Sequence, residues 1–177
     1  MKPAVIIETL LAKLGTPGGR HLYGVLGGYR ALDAFAQELQ QATGPDGKRL
    51  PGPTNVNLGI LDAIPDKEFK RLVEDEAKRP EPTAAHVAKA FDRFLRTHLT
   101  GGGLAVFSNL ELLFAYGIDL NLLRVLAADE DRVLLLLPGR RSAGTIIMFH
   151  EAEEGRYKLP TNLIASDHLW ELDSPGR

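Results

Sequence analysis

The sequence predicts an α/β fold in which helices cover an open, mainly parallel sheet. Segments with helical spacing of apolar residues alternate with short strand-like segments, which is the pattern of sheets built from strand–helix–strand units. The two most apolar segments, LAVF and VLLLL, are unbroken, as expected for strands buried on both faces. Near the C-terminus, GTIIMFHE and GRYKL have the pattern of an antiparallel hairpin. We therefore expect a parallel sheet with an antiparallel extension.

The first half of the chain is predicted to supply two helices and two strands. Residues 4–14 form a short helix that ends at a glycine, and residues 21–23 form the first strand. A glycine-containing turn follows over residues 24–28. Apolar residues at helical spacing predict the second helix over residues 29–42. After a loop rich in Gly and Pro, residues 54–58 (TNVNL) are predicted as the second strand.

The second half is predicted to add four helices, two strong strands and the hairpin. Apolar stripes predict one helix around residues 69–77 and another over residues 84–95, with Thr83 as its N-cap. The strand LAVF follows, and then two short helices at residues 110–114 and 120–127. VLLLL is predicted as the strongest strand of the chain, the hairpin turns at residues 152–155, and the tail to Trp170 forms an edge segment.

Composition excludes several classes of function. The chain has 177 residues, of which 44% are hydrophobic and 25% charged, as in an ordinary globular protein. The formal net charge is −2, so direct nucleic-acid binding is not expected. The absence of cysteine excludes disulfides, thiol chemistry and thiolate-bound metals.

No signal-like or membrane-spanning segment is found, so we expect a cytoplasmic protein without membrane contact. We expect a single α/β domain, residues 1–177. Within it, residues 1–19 form the N-terminal helix and linker, residues 20–142 the core, and residues 143–172 the C-terminal hairpin and edge segment.

The segment YGVLGGYRA stands where a phosphate-binding loop would stand, between the first strand and the helix after it. Gly24, Gly27 and Gly28 could free backbone N–H groups for a phosphate, and Arg30 could meet an anion beside the helix N-terminus. A working loop needs Lys followed by Ser or Thr to reach the phosphates and Mg²⁺, but Arg30 and Ala31 stand there. A plain structural turn and an atypical ATP or GTP site both stay open, and no catalytic residue is predicted.

The strand LAVF corresponds in position to the NTPase strand that ends in an acid for the Mg²⁺ shell, but it ends at Ser108-Asn109. The first carboxylate is that of Glu111, about one turn into the next helix. We therefore expect Ser108 or Asn109 to act as an N-cap. Asn109 and Glu111 are candidates for a partner or anion contact. No metal site is expected, because the five histidines show no pair at ligand spacing and most are expected at the surface or an edge.

VLLLL leads into Pro138-Gly139, which is predicted to turn the chain and to present Arg140 and Arg141 together. Arginine forks recognise phosphate and carboxylate groups, so this pair is a candidate anion or partner contact; the alternative is that both are solvated. Ligands of α/β sheets bind at the carboxyl ends of the strands. Four segments are predicted to gather there: residues 24–30, 57–59, 108–111 and 138–141.

The order of NVNL, FSNLELLF and LNLLRVLAADEDRVLLLLPGR, followed by a hairpin ending in RY, resembles the small BrxF proteins of BREX phage-defence systems. The layout is also similar to that of BrxB, a small BREX component without a P-loop. The resemblance spans residues 20–158 and depends on order and spacing. Glu111 and Arg140 match the family pattern, whereas the P-loop Lys, its hydroxyl neighbour and the acid before Asn109 are missing.

The resemblance implies a three-layer P-loop-NTPase-like domain with a degenerate nucleotide site. It also implies a non-enzymatic assembly subunit of a BREX-type anti-phage system without a cofactor. Its partners would be a PglZ-like phosphatase, a BrxC-like AAA ATPase and a PglX-like methyltransferase. The alternative is a nucleotide-binding protein or weak NTPase, using ATP or GTP, with an atypical loop centred on Gly27, Gly28 and Arg30.

Overall fold

The computed structural model describes residues 1–76, 80–99, 101–149 and 157–173. The α-helices are α1 Pro3–Leu14, α2 Tyr29–Gln41, α3 Val56–Asp62, α4 Asp66–Glu76, α5 Pro80–His98, α6 Glu111–Ala115 and α7 Asn121–Leu126. The strands are β1 Leu22–Gly27, β2 Thr54–Asn55, β3 Gly103–Ser108, β4 Asp131–Ser142, β5 Thr145–Met148, β6 Tyr157–Lys158 and β7 Leu169–Glu171, the last preceded by a 3-10 helix, Ser166–His168. No helix in these ranges combines the length and apolarity needed to cross a bilayer.

The sheet has a parallel core in the order β2-β3-β4-β1-β7. β1 lies in the interior, where it pairs with β4 from Leu22↔Val133 to Gly27↔Pro138, and β7 forms an edge. β4 then continues and pairs antiparallel with β5, which pairs with β6. The mainly parallel sheet with an antiparallel extension is therefore confirmed. The hairpin turn predicted at residues 152–155 lies outside the described residues.

Two apolar cores lie on opposite faces of the sheet, because alternate strand residues point to opposite sides. Leu135 and Leu137 of β4 face the core covered by α3 to α7, and Leu134 and Leu136 face the core under α1 and α2. All four side chains are buried. A strand covered on both faces needs an unbroken apolar run, which accounts for VLLLL.

Two boundaries near the start of the chain differ from the prediction. The turn predicted over residues 24–28 is wrong, because β1 runs through Gly27 and only Gly28 separates it from α2. The second strand is shorter than predicted, and most of TNVNL is helical. The reason is Asn55, which ends β2 and caps α3 by accepting a hydrogen bond from the Leu58 N–H at 3.0 Å.

The turn predicted at Pro138-Gly139 is also wrong, since β4 continues through both residues. Pro138 is the last residue paired with β1, and Gly139 is the first paired with β5. A Cβ on Gly139 would lie 2.7 Å from the carbonyl oxygen of Ile147, so a residue without a side chain is needed where the strand changes partners. The chain turns instead at Ala143 and Gly144, whose φ angles are 47° and 76°.

The helices α4 and α5 follow the predicted stripes with two differences. The N-cap predicted at Thr83 is wrong, because α5 begins before it, at a proline that suits the first turn of a helix. Of the stripe predicted on α4, Leu72 is buried, whereas Phe69 and Val73 are 40% and 60% exposed. Ala77, predicted to continue this stripe, lies outside the described residues.

A substitution at Gly24 tests whether close packing holds β1 in place. A Cβ at this position would lie 2.8 Å from Cδ1 of both Ile164 and Leu169, and 3.1 Å from Cδ1 of Leu137. We expect Gly24→Ala to lower the free energy of unfolding by about 1–3 kcal/mol, the usual cost of overpacking a core. Urea denaturation measures the effect. Gly15→Ala is the control, because its nearest new contact is an ordinary 3.5 Å, and equal stability losses in both variants would contradict the packing role.

Candidate functional site

At the carboxyl edge of the parallel sheet, side-chain hydrogen bonds join three of the four predicted segments. β1, β2 and β3 end at this edge and lead into α2, α3 and α6. Tyr29 at the start of α2, Asn57 in the first turn of α3 and Glu111 at the start of α6 are joined by hydrogen bonds. We call these three residues the edge cluster. The fourth segment, residues 138–141, begins at the same edge, where Pro138 pairs with the last residue of β1, and it continues as part of β4.

Glu111 holds the edge cluster together as a double acceptor. The Tyr29 hydroxyl donates to Oε1 of Glu111 at 3.1 Å, and Nδ2 of Asn57 donates to Oε2 at 2.8 Å. Asn57 also accepts a hydrogen bond, from the Leu112 N–H to its Oδ1 at 3.1 Å, and its own N–H donates to the Asn109 carbonyl oxygen at 3.0 Å. Hydrogen bonds to a carboxylate are among the stronger ones, so this cluster ties three helices to one another.

The N-cap predicted at Ser108 or Asn109 is wrong, because Asn57 caps α6 from another helix. The Leu112 N–H belongs to the first turn of α6, which has no acceptor within its own helix. Ser108 instead donates its hydroxyl to Oδ1 of Asn109 at 3.0 Å. Asn109 has a φ of 56°, a left-handed conformation that Asn adopts more readily than most residues, and it redirects the chain from β3 toward α6.

The glycines of the predicted phosphate loop divide into two groups. Gly24 and Gly27 lie within β1, and a Cβ on Gly27 would lie 3.1 Å from Cδ1 of Leu172, so both positions serve close packing. Gly28 is the N-cap of α2 in an extended conformation, without a side-chain cap, and Arg30 is exposed in the first turn. Of the four predicted contacts, only Gly28 and Arg30 lie at a helix start that an anion could approach.

Arg140 and Arg141 do not form the paired fork suggested by their adjacency. Both lie in β4, where successive side chains point to opposite faces. Arg141 is held within the chain, because its Nη2 donates to the Leu169 carbonyl oxygen at 2.9 Å and its Nε lies 3.8 Å from the Glu171 carboxylate. Both arginines are exposed, so each also reaches solvent.

A second polar cluster, at the amino end of the sheet, has no sequence motif. His21 precedes β1, is only 3% exposed, and shares a 2.8 Å hydrogen bond between its Nδ1 and the Tyr23 hydroxyl. The ring of Tyr23 packs on that of His168, with centroids 4.7 Å apart. Next to them, Asp167 pairs with Lys13 at 2.8 Å. We call His21, Tyr23 and His168 the amino-end cluster.

Most histidines were expected at the surface or at an edge, but His21 is buried. Its only signal in the sequence is its alternation with Tyr23. His150 lies outside the described residues. Burial lowers the pKa of His21 below its ordinary 6.5, and the Arg132 cation lowers it further. Burial also raises the pKa of Tyr23, so this hydrogen bond joins two neutral rings. Among the residues that the structure describes, no group of His, Asp and Glu is placed to hold a metal ion.

Asn57→Asp tests the edge cluster by placing a second carboxylate beside that of Glu111. We expect a loss of about 1–3 kcal/mol in the free energy of unfolding at about pH 7, from the lost donor and the repulsion. Part of it should return at about pH 5, because one carboxyl of such a pair has a raised pKa and takes up a proton. Urea denaturation at both pH values checks this. Asn57→Ala is the control, and an equal pH dependence in both variants would contradict it.

His21 makes stability depend on pH. The unfolded chain binds a proton at His21 near the ordinary pKa of 6.5, whereas the folded protein keeps the ring neutral to lower pH. The free energy of unfolding should therefore fall as the pH drops below 6.5, by at most about 1.4 kcal/mol per pH unit from this group. His21→Gln should flatten that fall in urea titrations, and the control variant Lys89→Gln, at an exposed site on α5, should not. Parallel curves for wild type and His21→Gln would refute this.

The chain was also compared with known proteins, and it matches no protein-family model, no curated protein and no solved structure. The geometry of the edge cluster and the resemblance in segment order are therefore the observations that bear on its function.

Proposed function

We propose that this chain is a non-enzymatic assembly subunit of a BREX-type anti-phage system, built on a P-loop-NTPase-like domain with a degenerate nucleotide site. The observation that carries the proposal is the edge cluster. At the edge of the sheet where an NTPase would organise phosphate and Mg²⁺, Tyr29, Asn57 and Glu111 bond to one another. This edge is therefore built to join helices.

The strand connections support the P-loop-like part of the proposal. β1 lies inside the sheet and passes into α2 at its carboxyl end, which is the strand–helix order of a P-loop unit. The chain leaves β1 toward β2 on one side and leaves β4 toward β7 on the other. The crevice between the carboxyl ends of β1 and β4 is thus a topological switch point, where α/β sheets usually bind ligands.

The residues that would turn over a nucleotide are replaced at this edge. Arg30 and Ala31 stand where a Lys and a hydroxyl are needed. Only Gly28 separates β1 from α2, which leaves little loop to surround a phosphate. Both carboxylate oxygens of Glu111 accept hydrogen bonds from neighbouring helices. These features favour an assembly role over hydrolysis.

Two exposed features are available to partners. Arg140 presents a cation on the strand that leads into the hairpin. On α4, Phe69 and Val73 lie one turn apart on the same side of the helix and are 40% and 60% exposed. Adjacent exposed apolar side chains are typical of interaction surfaces. By the resemblance, the partners are the PglZ-like phosphatase, the BrxC-like AAA ATPase and the PglX-like methyltransferase.

Co-expression with these three partners tests the proposal. The affinity-tagged chain should capture at least one of them at a stoichiometric level, and capture of none would overturn the assembly role. Arg140→Glu should weaken capture because it reverses an exposed charge. Lys89→Glu reverses an exposed charge on α5 and is the matched control.

A nucleotide-binding role is the second candidate, and the start of α2 favours it. This 13-residue helix has no side-chain cap and no acidic residue in its first turn, and Arg30 lies exposed beside it. A ligand that binds only the folded state raises the melting temperature. A rise with millimolar ATP or GTP plus Mg²⁺ that Arg30→Ala removes would support this role, and no rise would eliminate it.

A further inference from the structure

A cleft at the amino end of the sheet lies opposite the carboxyl edge that holds the edge cluster. Its walls are the loop after α2, the glycines at residues 101–103, and the start of β4. Its volume of about 610 Å³ is within the usual range for small-molecule sites. We call it the amino-end cleft. No predicted site residue lies in it, so its chemistry has to be taken from the residues that line it.

Cationic side chains outnumber carboxylates in the amino-end cleft. Lys48, Arg49 and Arg132 line it, together with Asp46 and Glu130. Two of these side chains have partners within the chain: Oδ1 of Asp46 accepts a hydrogen bond from the Lys48 N–H at 3.1 Å, and Nη1 of Arg49 donates to Oε1 of Gln41 at 3.3 Å. The lining therefore favours an anionic group, with a carboxylate present to accept hydrogen bonds from hydroxyl or amino groups.

Arg132 has donor capacity that the described part of the chain does not use. Its Nη1 donates to the Glu130 carbonyl oxygen at 3.2 Å, but its buried Nε has no acceptor there. A buried donor without a partner costs about 1–3 kcal/mol, and more when the group is charged. Arg132 lines the amino-end cleft, and a guanidinium is a preferred partner of a phosphoryl group.

The glycines at residues 101–103 give the cleft a wall of bare backbone. Gly102 and Gly103 have φ angles of 68° and 98°, a backbone conformation that favours glycine. A Cβ on Gly101 or Gly103 would meet nothing within 4 Å, so open space, and not packing, surrounds them. The Gly103 N–H donates to the Glu130 carbonyl oxygen at 2.8 Å and fixes this wall to β4. Exposed glycine backbone is a common neighbour of bound phosphate.

We propose that the amino-end cleft binds the phosphoryl group of a small anionic ligand through Arg132, Lys48 and Arg49. Free phosphate or pyrophosphate and the phosphates of nucleotides share this chemistry, and the experiment separates them. The site is independent of the assembly role and of the α2 start, from which it is separated by the length of the strands.

Titration of the full chain with pyrophosphate in phosphate-free buffer, followed by ¹H–¹⁵N NMR, tests the proposal. Saturable shifts are expected at the amides of residues 48–49 and 101–104. Sodium chloride at matched ionic strength is the control, and shifts of equal size with chloride, or no saturable shift, would overturn the site. ADP is the second probe: a lower Kd than that of pyrophosphate identifies a nucleoside phosphate, and an equal or higher Kd identifies the free anion.

Variants then localise the binding. Arg132→Gln should raise the Kd for pyrophosphate at least about tenfold, because a charge-assisted contact is lost. The double variant Lys48→Gln/Arg49→Gln changes two exposed residues, so it decides the question if Arg132→Gln does not fold. Lys89→Gln on α5 is the matched control. An unchanged Kd in the double variant, or a Kd that rises only in Arg30→Gln, would overturn the proposal, the second result placing the anion at α2.

Discussion

The fold depends on the pairing of β1 with β4 in the middle of the sheet. All six residues of β1 are buried, and each is paired in parallel with β4. Backbone N–H and C=O groups at this depth have no access to water, so the ladder has to be complete. The two strands also supply side chains to both apolar cores. The helices on either face, the edge strand β7 and the hairpin all build on this central pair.

The close packing around β1 explains why glycines occur in the segment that resembles a phosphate loop. Gly24 lies beside Ile164, Leu169 and Leu137, and Gly27 beside Leu172, so closely that a side chain would force these neighbours to move. Glycine is thus selected by the C-terminal segment packing across β1. The same residue type would be selected by a phosphate approaching the backbone, and a single sequence does not distinguish these two causes.

Local patterns were sufficient for most elements, because helical periodicity and apolar runs report on burial directly. They place α2 within a residue of its C-terminus and identify β3 and β4. They fail where a distant partner overrides a local preference. Asn57 caps a helix 55 residues away, which removes that role from Ser108 and Asn109. Pairing with β5 straightens a Pro-Gly pair that locally favours a turn, and the burial of His21 follows from packing around β1.

The passage of β4 from one set of partners to another has a mechanical consequence. A single uninterrupted strand, Asp131–Ser142, carries both the parallel core and the first arm of the hairpin. Hinges in proteins are loop residues that absorb changes in φ and ψ, and none intervenes between these two parts. The β4–β5 hairpin is therefore joined to the core by continuous strand, and the burial of Met148 in the core fixes its second arm. Force applied by a partner at Arg140 would reach the centre of the protein along hydrogen-bonded backbone, without a flexible joint to dissipate it.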